Sequence, residues 1–266
     1  MKQTKFSFMP AIVAISVALC AALSSFATEY FVSPGGKGDG SSWESPLGTI
    51  EAALVKSDVT VVNLDVGTHE ISLQKTLQID RAITIKGRTG DPKDVTVRRP
   101  AADTVAKKNY SNFTLNHAGA TIRDITVSDG FLTTGNGCNV YLNNGLVDHC
   151  IISEGNHGGQ GGGAGVYMTG GRVTRSVVRN NKISTSSAYY HGGGVEATGG
   201  QVDNCLIVGN VAYQGAGVYV NGKDVKVLNC TIVGNNGSEY PGVYRNSGSP
   251  QIYNCVIADN TTTAYK

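Results

Sequence analysis

The stretch Gln201-Val-Asp-Asn-Cys-Leu-Ile207 decides the fold, because near-copies of it recur along the chain. They are Leu146-Val-Asp-His-Cys-Ile-Ile152, Arg172-Val-Thr-Arg-Ser-Val-Val178, Lys226-Val-Leu-Asn-Cys-Thr-Ile232 and Gln251-Ile-Tyr-Asn-Cys-Val-Ile257, with a weaker copy at Thr121-Ile-Arg-Asp-Ile-Thr-Val127. The equivalent positions Ile125, Cys150, Ser176, Cys205, Cys230 and Cys255 are spaced by 25, 26, 29, 25 and 25 residues. A fixed period of this length marks a stacked repeat architecture. Small changes in spacing are absorbed by loops.

Upstream of each copy lies a short alternating element: Val140-Tyr-Leu142, Val166-Tyr-Met168, Val195-Glu-Ala197, Val218-Tyr-Val220 and Val243-Tyr-Arg245. Alternation over so few residues reads as strand. Gly, Asn and Ser clusters separate the elements, among them Asn156 to Gly165 and His191-Gly-Gly-Gly194. They are poor in helix formers and tolerant of positive φ. Each period is therefore expected to hold two or three short strands. One coil cannot bury its own apolar side, but stacked coils bury Val, Ile and Cys in a continuous column. The fold class is all-β, a solenoid with a period of about 25 residues.

Such strand-sized repeats resemble the right-handed parallel β-helix of the pectin-lyase-like superfamily, over roughly residues 59 to 260 and most strongly 113 to 260. The segment from Tyr30 to Leu54, which opens Tyr-Phe-Val-Ser-Pro-Gly-Gly-Lys-Gly-Asp-Gly, looks like the opening of many secreted bacterial β-helix proteins. Within it Ser45 is expected to N-cap a helix with Pro46 at its first position, and Leu47, Ile50 and Leu54 fall on one face. That helix would cover the first rung, built from Val59-Thr-Val61 and Asn63 to Val66, with Ile83-Thr-Ile85 following. The expected organisation is a signal peptide over 1–27, a first strand and capping helix over 28–58, and the β-helix over 59–266.

The signal peptide is read from Lys2 and Lys5, the apolar run from about Phe6 to Leu23, and small residues Ser25 and Ala27 before a cleavage site. An uncleaved anchor is the alternative; Cys20, lacking a small residue before it, is expected to leave with the signal. The mature chain is then expected to be secreted or held at the cell surface, with no membrane insertion. Removing Lys2 and Lys5 from 22 basic residues leaves 20 against 20 acidic ones. A neutral chain lacks the clustered cations that nucleic-acid binding requires. With 40% hydrophobic residues it is not a disordered composition either.

Five cysteines remain, Cys138, Cys150, Cys205, Cys230 and Cys255, four of them on one ladder position that Ser176 also occupies. Parallel side chains one rung apart suit disulfide geometry badly, so an internal stack of free thiols is expected. No Cys pair has the spacing of a zinc site, and no metal or cofactor is expected. Asn181, Asn210, Asn235 and Asn260 form a second ladder with a structural role.

Candidate ligand-binding residues follow from the alternation. If Val140 and Leu142 face inward, Tyr141, Tyr167, Tyr219 and Tyr244 align outside, interrupted by Glu196. Asn143, Thr169, Thr198, Asn221 and Asn246 stand two positions on. Aromatic rings beside short polar groups suit sugars; the competing reading is mutual support among stacked rings. Pectate lyases, which the fold resembles, hold calcium with acidic residues and remove a proton with Arg or Lys. The resemblance makes Asp148, Arg175 and Asp203 the catalytic candidates, with Arg179, His149 and Glu196 expected nearby and calcium as the cofactor of such a lyase.

The loop from Gly87 to Asn112 carries a basic excess in Arg88, Lys93, Arg98, Arg99, Lys107 and Lys108 that would meet an acidic polymer or remain a solvated insertion. The Gly-rich stretch near Gly159 precedes strand rather than helix and is no nucleotide loop. The expected function is a secreted or cell-surface, adhesin-like module binding glycan or another surface component. A polysaccharide lyase or glycoside hydrolase acting on an acidic polysaccharide is the alternative, and a structural solenoid or fragment of a larger surface protein the third reading. The C-terminal rung, followed only by Thr261 to Lys266, offers a strand edge for end-to-end self-association.

Overall fold

The computed structural model describes residues 27–72, 74–100, 110–184 and 190–262. The expected signal segment with Cys20, and Lys107 and Lys108 of the basic loop, lie outside the described residues. The protein is a right-handed parallel β-solenoid of about seven turns. A representative turn runs through Val140–Leu142, Leu146–Asp148, Ile151–Ser153 and Asn156–Gln160 before the next begins at Val166–Met168. These four strands belong to four parallel sheets, here the first to fourth in that order, of seven, nine, eight and six strands.

Four strands per turn is one or two more than the sequence indicates. The fourth sheet escapes because Asn156-His-Gly-Gly-Gln160 has no apolar alternation, and a single residue per rung fills its interior: Leu132, His157, Ile183 and Ala212. Elsewhere the alternation holds. Val140, Leu142, Val147 and Ile152 are fully buried, and so are their counterparts as far as Val218, Val220, Val227 and Ile232, while Tyr141 faces out; in the last described turn Val243 and Ile252 are half-buried and Ile257 is exposed. Each such side chain contributes about 1.5–3 kcal/mol through burial, and the column supplies the main driving force against chain entropy.

The corners are built by left-handed backbone. Between the second and third sheets stand Asp124, His149, Arg175, Asn204, Asn229 and Asn254, all with φ of 49 to 56°. Asn and Asp tolerate this region; His and Arg do so at a cost of about 1–2 kcal/mol. At His149 and Arg175 side-chain bonds to Asp124 and Asp148 offset that cost.

The first turn is closed by the helix Ile50–Leu54, with Ile50 and Ala53 buried against the column. It begins four residues later than Ser45 implies, with Thr49 as the N-cap accepting from the Ala52 amide at 3.2 Å. Leu47 is drawn into extended pairing instead, its N–H donating to Phe31 O at 2.8 Å, and Ser45 Oγ accepts from the Asp39 amide. Arg81 ties down the far end through the carbonyls of Leu54, Lys56 and Ser57. The first rung is one continuous strand, Val59–Leu64, rather than two pieces.

The described cysteines are all free, and four are buried. On the ladder each thiol donates to the carbonyl two residues back, Cys150 to Asp148, Cys205 to Asp203, Cys230 to Leu228 and Cys255 to Tyr253, at 3.1–3.4 Å. Ser176 makes the same bond to Thr174 O at 2.7 Å, which explains its presence in a cysteine column. The asparagine ladder is equally regular: Asn181 donates to Asn210, Asn210 to Asn235 and Asn235 to Asn260 at 2.9–3.0 Å. It crosses the turn and sets a small second core, Leu132, Cys138, Ala164, Ile183, Ala212 and Ala216, apart from the main one.

Candidate functional site

On the outer face of the first sheet, register places Gln78, Thr114, Tyr141, Tyr167, Glu196, Tyr219 and Tyr244 in one row. Tyr141 and Tyr167 lean together at 5.1 Å between ring centroids, and Tyr219 and Tyr244 at 5.3 Å. Glu196 occupies the rung between the pairs. Its carboxylate lies 2.9 Å from His191 Nδ1, and the His191 ring stacks flat on Tyr219 at 3.8 Å, so histidine fills the place of the missing tyrosine. Tyr240 stacks on Tyr244 at 5.0 Å.

This packing separates the four tyrosines. Tyr219 is covered, at 3% exposure, whereas Tyr141, Tyr167 and Tyr244 are half-buried. Burial, then the Glu196 charge, pushes the Tyr219 hydroxyl up to about 12, and burial followed by the Glu196 and Tyr141 charges raises that of Tyr167. Both hydroxyls therefore keep their protons at neutral pH.

Beside the rings runs a row of short polar side chains. Asn116 donates to Asp80 at 2.6 Å, Asn143 to Asn116 at 2.5 Å and Thr169 to Asn143 at 2.9 Å. Asn246 and Ser247 both donate to Asn221, at 3.1 and 2.7 Å. Thr198 turns to the Met168 carbonyl and divides the row in two. The sequence pattern identified this row but not Asn116 or His191. Asn116 is visible one residue after Leu115, in the frame of Asn143; His191 comes from the fourth-sheet side, where no pattern reports position.

The second sheet gathers the acid–base candidates. Asp148 accepts from Arg175 Nε at 2.8 Å and Nη2 at 2.6 Å. Asp203 accepts from Arg172 through two bonds of 2.7 Å, and from Thr174, Gln201 and Asn204. The ladder does bring Asp148, Arg175 and Asp203 together, with His149 alongside. Glu196 lies on the first sheet and Arg179 on the third, so neither joins them. The Asp148 bond raises the Arg175 pKa, opposing the proton release a base requires. With both carboxylates engaged by arginine, the patch does not fit calcium. Among the described residues no group of three or more His, Cys, Asp or Glu side chains could hold a metal ion.

The basic loop is largely taken up by the fold. Arg88 pairs with Asp65 at 3.0 Å and Arg98 with Glu70 at 3.2 Å. Arg99 is fully buried and donates to the carbonyls of Ser72, Lys75 and Ser111.

Residues 111–265 match the family described as right handed beta helix region, more than half the chain, and the protein belongs to that family. Among solved structures, the pectin methylesterase from Aspergillus niger is similar at 16% identity, covering 91% of this chain and 88% of that one, with a TM-score of 0.40. No curated protein matches the chain.

Proposed function

We propose that this protein is an exported carbohydrate-binding β-helix whose ligand lies along the outer face of the first sheet. The observation that carries this reading is the exposed row Asn116, Asn143 and Thr169 running beside the half-buried pair Tyr141 and Tyr167. Successive rungs repeat at about 4.8 Å, so hydroxyl and amide groups recur along a line that an extended glycan can follow. The rings lean on one another, so they present edges and hydroxyls, and binding is dominated by hydrogen bonds. Tyr219, covered by His191, supports the face from beneath.

The test is retention of the protein on neutral and acidic polysaccharides, with unsaturated products and new reducing ends measured in the same samples. Retention without cleavage, weakened about tenfold in the double variant Asn116→Ala with Asn143→Ala, is the expected result. Product formation that disappears in Arg175→Ala would instead make this a polysaccharide-degrading enzyme.

A further inference from the structure

Between the first two strands of the fourth sheet, Phe131–Thr134 and Asn156–Gln160, the register shifts. Leu132 pairs with His157 and Thr134 with Gln160, so Gly158 and Gly159 stand opposite Thr133 alone. This is a β-bulge, in which the extra residue is left out of the ladder. His157 supplies the missing partner. Its side chain is fully buried, its Nδ1 accepts from the Gly159 N–H at 3.2 Å, and its Nε2 lies 2.8 Å from Gly135 O. With Nδ1 accepting, the proton of the neutral ring is on Nε2 and is donated to Gly135. A second proton, on Nδ1, would point at the Gly159 N–H.

The surroundings offer that proton no counter-charge. Leu132 and Ile183 flank the ring on the neighbouring strands, and Lys182 beside Ile183 is turned to solvent. The titratable members of the small core behind it are Cys138, which burial keeps as the thiol, and Tyr190. Burial lowers the His157 pKa from its ordinary 6.5, opposed by the Gly135 carbonyl and by no charged side chain.

Contact carries the bulge to the tyrosine row. A Cβ on Gly161 would fall 2.6 Å from His157 Nε2, one on Gly162 1.6 Å from Glu196 Oε2, and one on Gly163 2.8 Å from the Tyr167 backbone nitrogen. Three successive residues without side chains thus pack against the imidazole, the buried carboxylate and Tyr167 in turn.

We propose that His157 is an acid-sensitive latch on the ligand face: its protonation frees the bulge Gly158–Gly162 and thereby loosens Glu196 and Tyr167, so that ligand held near neutral pH is let go in acid. The release of ligand rests on the carbohydrate reading above; the opening of the bulge does not.

The sign follows from linkage. The open form takes up a proton at the ordinary histidine value while the closed form resists it, so closure weakens as pH falls below 6.5. His191 acts in the opposite sense, because a proton on its ring turns the Glu196 hydrogen bond into an ion pair. His69, also buried, acts in the same sense as His157 but in the first turns, so the measurement has to be local.

Amide hydrogen exchange of the full-length protein, read by mass spectrometry on peptides covering 156–165, supplies that measurement. Protection of 158–162, corrected for the intrinsic exchange rate, should fall about tenfold between about pH 7 and pH 5. His157→Asn keeps an acceptor for the Gly159 N–H and does not titrate, so its protection should not change over this range. In His191→Gln the fall should persist. Protection independent of pH in the parent, the same fall in His157→Asn, or its loss in His191→Gln would overturn the latch. The parent and His191→Gln decide the matter even if the asparagine variant does not fold. Retention on polysaccharide should fall over the same pH range; retention that persists while the bulge opens would overturn its link to the ligand face. A parent retained at no pH would remove the carbohydrate reading and leave the latch to be decided by exchange.

Discussion

Asn139 donates its side-chain amide to Asn181 Oδ1 at 3.1 Å, although the two residues hold different positions in their turns. Asn139 precedes a first-sheet strand, where later turns carry Gly165, Gly194, Gly217 and Gly242. Asn181 sits at the corner after the third sheet, where earlier turns carry Gly130 and Gly155. Asparagine and glycine have exchanged places between the two halves of the stack. A Cβ at Gly155 would stand 2.2 Å from the Ala164 carbonyl oxygen and 2.7 Å from Asn139 Nδ2, so backbone and amide together require a glycine there. Asn112, donating to Asn139 at 3.1 Å, continues the column toward the N-terminus.

Asn210→Ala should therefore be costly. It removes donors to Val178 O and Asn235 Oδ1 and the acceptor of the Asn181 amide, all buried. A loss of about 3 kcal/mol is expected from groups left unsatisfied, read by urea unfolding. Asn139→Gly should be similarly destabilised, because it removes the buried bonds to Ser153 O and Asn181 Oδ1. Urea unfolding unchanged from the parent would show that the Asn139 amide does not hold the column.

Stability should fall in acid through Asp203. Burial opposes its ionisation, but bonds from Arg172, Gln201 and Thr174 overcome that and hold the carboxyl below its ordinary value of 3.8. A carboxyl with a lower pKa in the folded state contributes stability above the unfolded value and loses it as pH falls through the folded one. Thermal unfolding followed downward from about pH 4 should show this decline, and Asp203→Asn should flatten it. Asp39, lowered to about 2 chiefly by its Ser41 hydroxyl bond, acts in the same direction, so some slope should remain.

Thiol labelling should divide the cysteines. Burial pushes the Cys150 thiol up to about 12 and raises Cys138 further, leaving almost no thiolate at neutral pH. Cys255, the one described cysteine that is not fully covered, should react first with an aromatic disulfide reagent. The remaining four should react only as the protein unfolds. Labelling of Cys205 or Cys230 at the rate of Cys255 would contradict the packed column.

Gly162 leaves no room for a side chain: a Cβ there would fall 1.6 Å from Glu196 Oε2. Gly162→Ala should displace the carboxylate, break its bond to His191 and uncover Tyr219, at a cost of about 1–3 kcal/mol. Shortening the acid with Glu196→Asp in the same protein should recover stability, measured by thermal unfolding. An equal loss in both variants would assign the effect to the backbone alone.

The inward columns were legible because burial on one side of a strand writes a period of two into the sequence, and stacking writes a period near 25. The cysteine and asparagine columns followed from the same frame. Asn139 was not legible as a member, because its side chain crosses the turn from a position that is glycine in four other repeats. The pairing of Arg172 with Asp203, one rung away, was likewise hidden, since spacing gives the rung and not the direction in which a long side chain reaches. Ser45 misled because its capping signal is local, while Leu47 answers to a strand fifteen residues earlier.

The left-handed corner residues have a further consequence. Asn204, Asn229 and Asn254 bend the chain through the same angle at the same place in each turn, and each turn touches only its neighbours. A whole turn cut between equivalent corners would leave both severed ends in phase, with every remaining rung still in register. Length in this molecule is thus an adjustable quantity, open to duplication or excision in whole turns, whereas removal of half a turn would rotate every later residue to the wrong side of the barrel.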